Sequence, residues 1–358
     1  MQDGLKEAAP ARKRFARTRL QEEGQVIRSG AYVVAAMALG DRVITAHGDG
    51  RLRVFQGDAV PREIGAHRGA VLAMAADSQS SVITGGDDGR LLRVGVDGAV
   101  EELADFGSSW VDCVAAHSGA GLRACSVRKV VHVWRDDGEY ETLEHPSTAG
   151  GLAFDTQGQR LAVAHYGGAT LWERGAQGWE SRSLEWAGSH IGITWSPDGE
   201  FVVTIMQENA LHGWRLRDNA HMRMSGYPTK PRAMRWAGET PHLVTAGADQ
   251  VVCWPFDAAG PMGRVPLCVA HGGEQMATEV LDLPGQPAVL AGFQDGAVLL
   301  SELADETQTI VVRGSTGVEV TAMAIPSSLS HVLIGDAVGD VLWAPLGQGD
   351  ADATAGDG

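Results

Sequence analysis

The sequence is short of several things, and each shortage removes a class of answer. Cysteine occurs at Cys113, Cys125, Cys253 and Cys268 alone, never as a CxxC pair. No short-spaced zinc or redox motif is therefore written here. Buried, reduced thiols of a cytoplasmic protein are expected, with a disulfide between Cys113 and Cys125 on neighbouring strands left open. Cations are outnumbered, 29 Lys and Arg against 45 Asp and Glu, for a formal charge of −16. That balance argues against nucleic acid or an anionic membrane surface as the partner. No apolar run approaches the roughly 18 residues of a membrane span. The opening MQDGLKEAAPARKRFARTRL lacks the apolar stretch of a secretory signal.

Catalytic signatures are missing too. No Gly-rich phosphate loop opens a helix, and neither HExxH nor GxSxG occurs. The carboxylate pairs Asp87–Asp88 and Asp136–Asp137 fall in turn-like stretches, where carboxylates accept backbone hydrogen bonds. The reading is a protein that is not an enzyme.

Glycine is abundant, 47 of 358 residues, which suits many turns better than many helices. The stretch WSPDGEFVV (195–203) shows how turns are used. Pro197 fixes φ, Gly199 tolerates a positive φ, and alternating β-branched runs lie on either side, which spells a hairpin. Large or strand-closing residues follow similar Gly/Asp turns at Phe55, Gly95, Trp134, Trp172, Trp214, Trp254, Leu300 and Trp343. The steps are 40, 39, 38, 42, 40, 46 and 43 residues. Each period carries four short strand patterns, the signature of a propeller blade.

The motifs then become specific. WSPDGEFVVT (195–204), TAGADQVVCW (245–254), TGGDDGRLLRV (84–94) and GAHRGAV (65–71) together resemble the WD-repeat β-propeller family over roughly residues 20–346. No Trp-Asp dipeptide is present, however. The resemblance implies an all-β fold: one propeller of four-stranded antiparallel blades, eight by the copies counted, with seven as the alternative. The segment EGQVIRSG (23–30) is expected to pair with the last blade, which otherwise lacks its fourth strand, and so to close the ring. Residues 1–19 read as a disordered basic arm and 347–358 as a flexible acidic tail.

In family blades a loop His, a strand Ser/Thr and a turn Asp form a buried network with the strand-end Trp. By resemblance, His67, Thr84 and Asp88 occupy those places in the second repeat, Thr245, Asp249 and Trp254 in the sixth, and His271 and Asp295 in the seventh. His47, His67, His145, His165, His190 and His271 all map to one face of the disc, built by loops entering the first strand and turns between the second and third. One reading makes them loop histidines that tie turns. Another makes this face a partner site, with His145, His165, Tyr166, His190, Met206, Glu208, Tyr227, Lys230 and Arg232 as the candidate contacts. The segment GYPTKPR (226–232) cannot be helical because of its prolines.

The function expected is a non-catalytic scaffold, a monomer that presents a rigid loop face to another protein; the channel mouth is a second candidate site. An alternative comes from resemblance to compact stand-alone bacterial WD-repeat proteins, some of which sit beside zinc-responsive genes and metallochaperone GTPases. It implies a metal-handling accessory; the histidines of the face offer His145, His165 and His190 as zinc ligands for that reading, although no short ligand spacing supports them, and otherwise no cofactor is expected. A propeller enzyme is the remaining, weaker alternative.

Overall fold

The computed structural model describes residues 15–257, 259–303 and 308–347. Residues 1–14 of the expected arm and 348–358 of the expected tail lie outside the described residues. The chain forms a single β-propeller. The typical repeat is an innermost strand followed by three more, antiparallel throughout; the first, for example, runs Val33–Leu39, Arg42–His47, Arg51–Phe55 and Arg62–Gly65.

The repeats are bound to one another by apolar packing. Each hydrophobic cluster draws on neighbouring copies. Leu39, Ile44 and Val54 of the first repeat meet Val82, Leu92 and Val94 of the second. Val33, Val43 and Phe55 of the first meet Ala322, Leu333, Val341 and Trp343 of the last. That last cluster makes the stack circular. The alternating patterns explain the layers, because successive strand residues face opposite neighbours and both neighbours are apolar. Polar bridges repeat the same step. Trp195 Nε1 donates to Ala153 O at 2.9 Å, Trp236 Nε1 to Thr194 Oγ1 at 3.0 Å, and Thr321 Oγ1 to Val33 O at 2.8 Å.

The expectation of eight separate blades needs correction. Counted as continuous hydrogen-bonded sheets, the ring has seven, the alternative number. Six sheets have four strands, and one has six. The six-stranded sheet carries the copies that end at Trp172 and Trp214. Arg160–Gly175 continues past the turn within the first of these copies, Gly178–Trp195 runs on from that copy into the next, and Tyr166 pairs with Ser189 across the junction. Glycine permits this. At Gly168, where φ is 139°, a Cβ would strike the Leu184 carbonyl, and at Gly150 it would strike that of His190. Two backbones can approach there only because neither position has a side chain.

The ring closes as expected, by a shorter strand than 23–30. Gln25–Arg28 pairs antiparallel with the last strand, Gln25 opposite Trp343 and Arg28 opposite Asp340. Ahead of it, and separated from it by Gly24, Arg19–Glu23 form a helix capped reciprocally by Thr18 and Gln21. Residues 15–19, assigned to the arm from sequence, are tied to the preceding repeat. Ser315 N donates to Phe15 O at 3.0 Å, Thr18 Oγ1 to Val312 O at 2.8 Å, and Gly314 N to Gln21 Oε1 at 2.8 Å. The leading segment therefore spans two neighbouring repeats like a staple.

The WSPDGEFVV hairpin forms as read. Trp195 pairs with Val202, Gly199 has φ 70°, and Phe201 N donates to Ser196 Oγ at 2.9 Å. The four cysteines are free thiols, so no Cys113–Cys125 disulfide is present. Burial raises the Cys113 thiol to about 11, which leaves it unreactive at neutral pH. Among the described residues no helix is long and apolar enough to cross a membrane.

Trp343 stands at the closing interface, 2% exposed and stacked on His331. Trp343→Ala is expected to lower unfolding free energy by about 3–5 kcal/mol. Urea denaturation followed by far-UV circular dichroism measures it, and a loss below about 1 kcal/mol would mean that the last interface does not hold the ring.

Candidate functional site: the loop face and its polar supports

The sequence-assigned network of the second repeat is made in full. His67 Nδ1 donates to Asp88 Oδ1 at 2.8 Å, and His67 Nε2 accepts from Thr84 Oγ1 at 2.9 Å. Asp88 also accepts from the backbone N–H of Arg68 at 2.9 Å. Burial lowers the His67 pKa despite the adjoining carboxylate. In Asp88 the opposing effect of burial is outweighed by the Arg68 and Arg90 amides and His67, so its pKa falls. The imidazole is thus neutral and the carboxylate ionised, a pair that clamps the loop 65–70 to the turn 87–89.

Other repeats reach the same end with different groups. In the first, His47 Nε2 lies 2.8 Å from Thr45 Oγ1, and its Nδ1 lies 3.2 Å from Ser29 Oγ. In the fourth, Trp172 Nε1 donates to His145 Nε2 at 2.9 Å while His145 Nδ1 donates to Lys129 O. In the sixth, Tyr227 takes the role of the missing histidine. Its hydroxyl is 2.6 Å from Thr245 Oγ1 and accepts from Trp254 Nε1 at 2.7 Å. The seventh departs from the expected pattern. Asp295 accepts from Ser315 Oγ at 2.5 Å and from Ala297 N, while His271 is exposed. Asp249 is likewise exposed.

These supports divide the nine candidate contacts. His145, His165 and His190 are 4%, 4% and 1% exposed, and Met206 and Tyr227 are buried as well. His165 donates to Tyr166 O and accepts from Thr170 Oγ1. His190 donates to Trp186 O and has Thr204 Oγ1 2.7 Å away. These five side chains hold the face from beneath and do not present themselves to a partner. The remaining four reach the surface. Tyr166 is 69% exposed. Glu208 receives the Ser189 amide, Lys230 donates to Gln207 Oε1 at 3.2 Å, and Arg232 donates to Glu319 Oε2 at 3.1 Å.

The zinc alternative requires free ring nitrogens. All six of His145, His165 and His190 already have partners within 3.2 Å. Among the described residues no three His, Cys, Asp or Glu side chains are grouped to hold a metal ion. The residues present do not fit that reading. The two further histidines of the 206–232 segment, His212 and His221, contact each other at 3.2 Å, with Trp186 stacked on His212.

Sequence reasoning missed the surface residues that accompany Tyr166. Tyr32 and Trp110 lie on loops entering innermost strands, Val338 on a turn between second and third strands, and all three are exposed. Topology puts them on the same face as Tyr166. The hydroxyl pKa of Tyr32 is raised, chiefly by burial and then by Glu319. Arg235 and Glu279, on the innermost strands of neighbouring repeats, lie 3.6 Å apart. Burial raises the Glu279 pKa against the pull of Arg235.

No family model matches the sequence, and no curated protein matches it. Among solved structures, the crystal structure of the computationally designed Ika8 protein is similar. Its TM-score is 0.73 at 16% identity, over 89% of this chain and 98% of that one. At that identity the likeness concerns the fold alone, a β-propeller.

Burial lowers His47 and His145 from an ordinary value near 6.5 to about 4. Their stabilising effect is complete above pH 6.5 and is lost as pH falls toward 4, because the unfolded chain takes up the protons first. The loss is on the order of 2 kcal/mol per histidine. Thermal midpoints measured from pH 8 to pH 4 should be level above about 6.5 and fall below it, less steeply in His145→Gln. A midpoint unchanged down to pH 4.5 would contradict the burial of these rings.

Proposed function

We propose that this propeller is a WD-repeat-like, non-catalytic docking platform that binds another protein through its loop face. One observation carries the reading: Tyr32, Trp110 and Tyr166 stand 46%, 60% and 69% exposed on loops of one face, while the side chains beneath them are locked in buried hydrogen bonds. Exposed Trp and Tyr are the residue types that anchor protein interfaces. Loops already fixed lose little further entropy when a partner binds. Glu208, Lys230 and Arg232 supply charge of both signs around them, which suits the polar rim of such an interface.

Support for a non-catalytic role is indirect. His67, Asp88, His145, His165 and His190 beneath the face are engaged with neighbouring side chains or backbone groups, which supports a structural rather than a chemical role for them. No observation favours the metal-handling alternative.

The test compares affinity-purified complexes from the native cell for the wild type and a Trp110→Ala/Tyr166→Ala variant. A partner recovered in stoichiometric amount with the wild type should be weakened at least about thirtyfold, since truncation of interface anchors costs about 2 kcal/mol or more. Val265→Ala, on the opposite face at 89% exposure, should leave recovery unchanged. Equal recovery with all three proteins would refute the assignment to this face.

A further inference from the structure

The seam where the ring closes contains a cleft of about 550 Å³ that none of the candidate contacts touches. One wall is the leading segment at Phe15, Arg17 and Gln21. The others are the closing strand at Val26 and Arg28, the end of the seventh repeat at Arg313, and the last repeat at Asp336 and Asp340. The cleft exists only because the chain returns to its own beginning, so no other junction of the ring reproduces it.

Its chemistry centres on Arg313. The side chain is 6% exposed and Asp336 is 3% exposed. One arm of the fork, Nη2, lies 3.3 Å from Asp336 Oδ2. The other Asp336 oxygen accepts from the amides of Val338 and Asp340. The second arm, Nη1, is buried and has no hydrogen-bond partner among the described residues. A buried guanidinium arm left unpaired is costly. Burial outweighs Asp336 here and lowers the Arg313 pKa, although the group remains a cation.

The surrounding charges define what would satisfy it. Arg28 faces Asp340 at 3.8 Å, and Arg313 faces Asp336, so the two aspartates are matched. Arg17 is the third cation of the lining; its guanidinium donates to the Gln21 carbonyl and, among the described residues, to no carboxylate. Among the described lining residues, three Arg against two Asp leave one excess positive charge, in a chain whose total is −16. A single negative charge completes the balance. A doubly charged group would face Asp336 and Asp340, and a cation would face three arginines. Val26, Val318 and Leu342 give the rest of the cleft an apolar lining.

We infer that the seam cleft binds a carboxylate on a short apolar stem, with the carboxylate taken up between Arg313 and Arg17 and the stem against Val26, Val318 and Leu342. A planar carboxylate matches the guanidinium fork. Its source is either a free aliphatic acid or a glutamate side chain of a bound protein. The cleft shares Val338 with the loop face, but Tyr32, Trp110 and Tyr166 do not line it, so loss of acid binding here and loss of a partner in the Trp110→Ala/Tyr166→Ala variant are separate outcomes.

Three probes decide the matter in ¹H–¹⁵N spectra of the full chain. They are butyrate, its neutral isostere butyramide, and the blocked peptide acetyl-Ala-Glu-Ala-amide. Butyrate or the peptide should give saturable shifts at Ser315, Val318 and Val338, and butyramide should not. A peptide at least tenfold tighter than butyrate assigns the site to a protein side chain, and the reverse order or equal affinity assigns it to a free acid. Arg17→Glu, at an exposed position, should weaken binding about fivefold or more through like-charge repulsion. Arg313→Lys should abolish most of it by removing the fork; if that variant does not fold, Arg17→Glu decides alone. Equal shifts with butyrate and butyramide, no saturable shift with either acid, or an affinity unchanged in Arg17→Glu would overturn the inference.

Discussion

A stack of twisted sheets has two ends, and each end leaves an apolar face and an unpaired edge in water. This chain removes both by one contact, the pairing of Gln25–Arg28 with the last strand over the cluster that joins Phe55 to Trp343. Everything else in the molecule presupposes that contact. The innermost strands converge only if the stack is circular, and the loop face is a single surface only if the first and last repeats are neighbours. The staple from Phe15 to Gln21 reinforces the same junction from the side of the seventh repeat.

Rigidity of the loops has a second, local source. The hydrogen-bonded supports are not copies of one motif. A histidine between Thr84 and Asp88, a histidine against Trp172, a tyrosine between Thr245 and Trp254, and a serine on Asp295 do equivalent work. What is shared is a buried polar side chain that links the loop between repeats to the strand or turn beside it. Because each lies in a low-dielectric interior, each is strong when paired and costly when broken. The repeats can therefore diverge in sequence while the frame stays constant.

Much of this was legible in the residues. The period near 41, with strand alternation inside it, was enough for the propeller, and the spare segment around Val26 was enough for closure. The fused sheet was not legible, because the period counts turns and is blind to two strands that continue past them. The cause lies in glycines such as Gly150 and Gly168, whose effect depends on a neighbour in space. The site was half legible. Position placed these loops on one face, but residue type alone does not say whether His165 points inward and Tyr166 outward, as they do. Tyr227 did leave a signal: it precedes Thr245 by 18 residues, close to the 17 that separate His67 from Thr84. Arg313 left none, since its setting is built by segments far apart in the chain, the leading residues around Phe15 and Arg17 and the last repeat at Asp336.

Native-state amide hydrogen exchange at Gln25–Arg28 tests ring closure most directly. If closure holds the molecule together, these amides exchange as slowly as those of a central strand such as Ala288–Phe293, at the rate set by global unfolding. Exchange orders of magnitude faster, at the rate of a fraying terminus, would contradict the account.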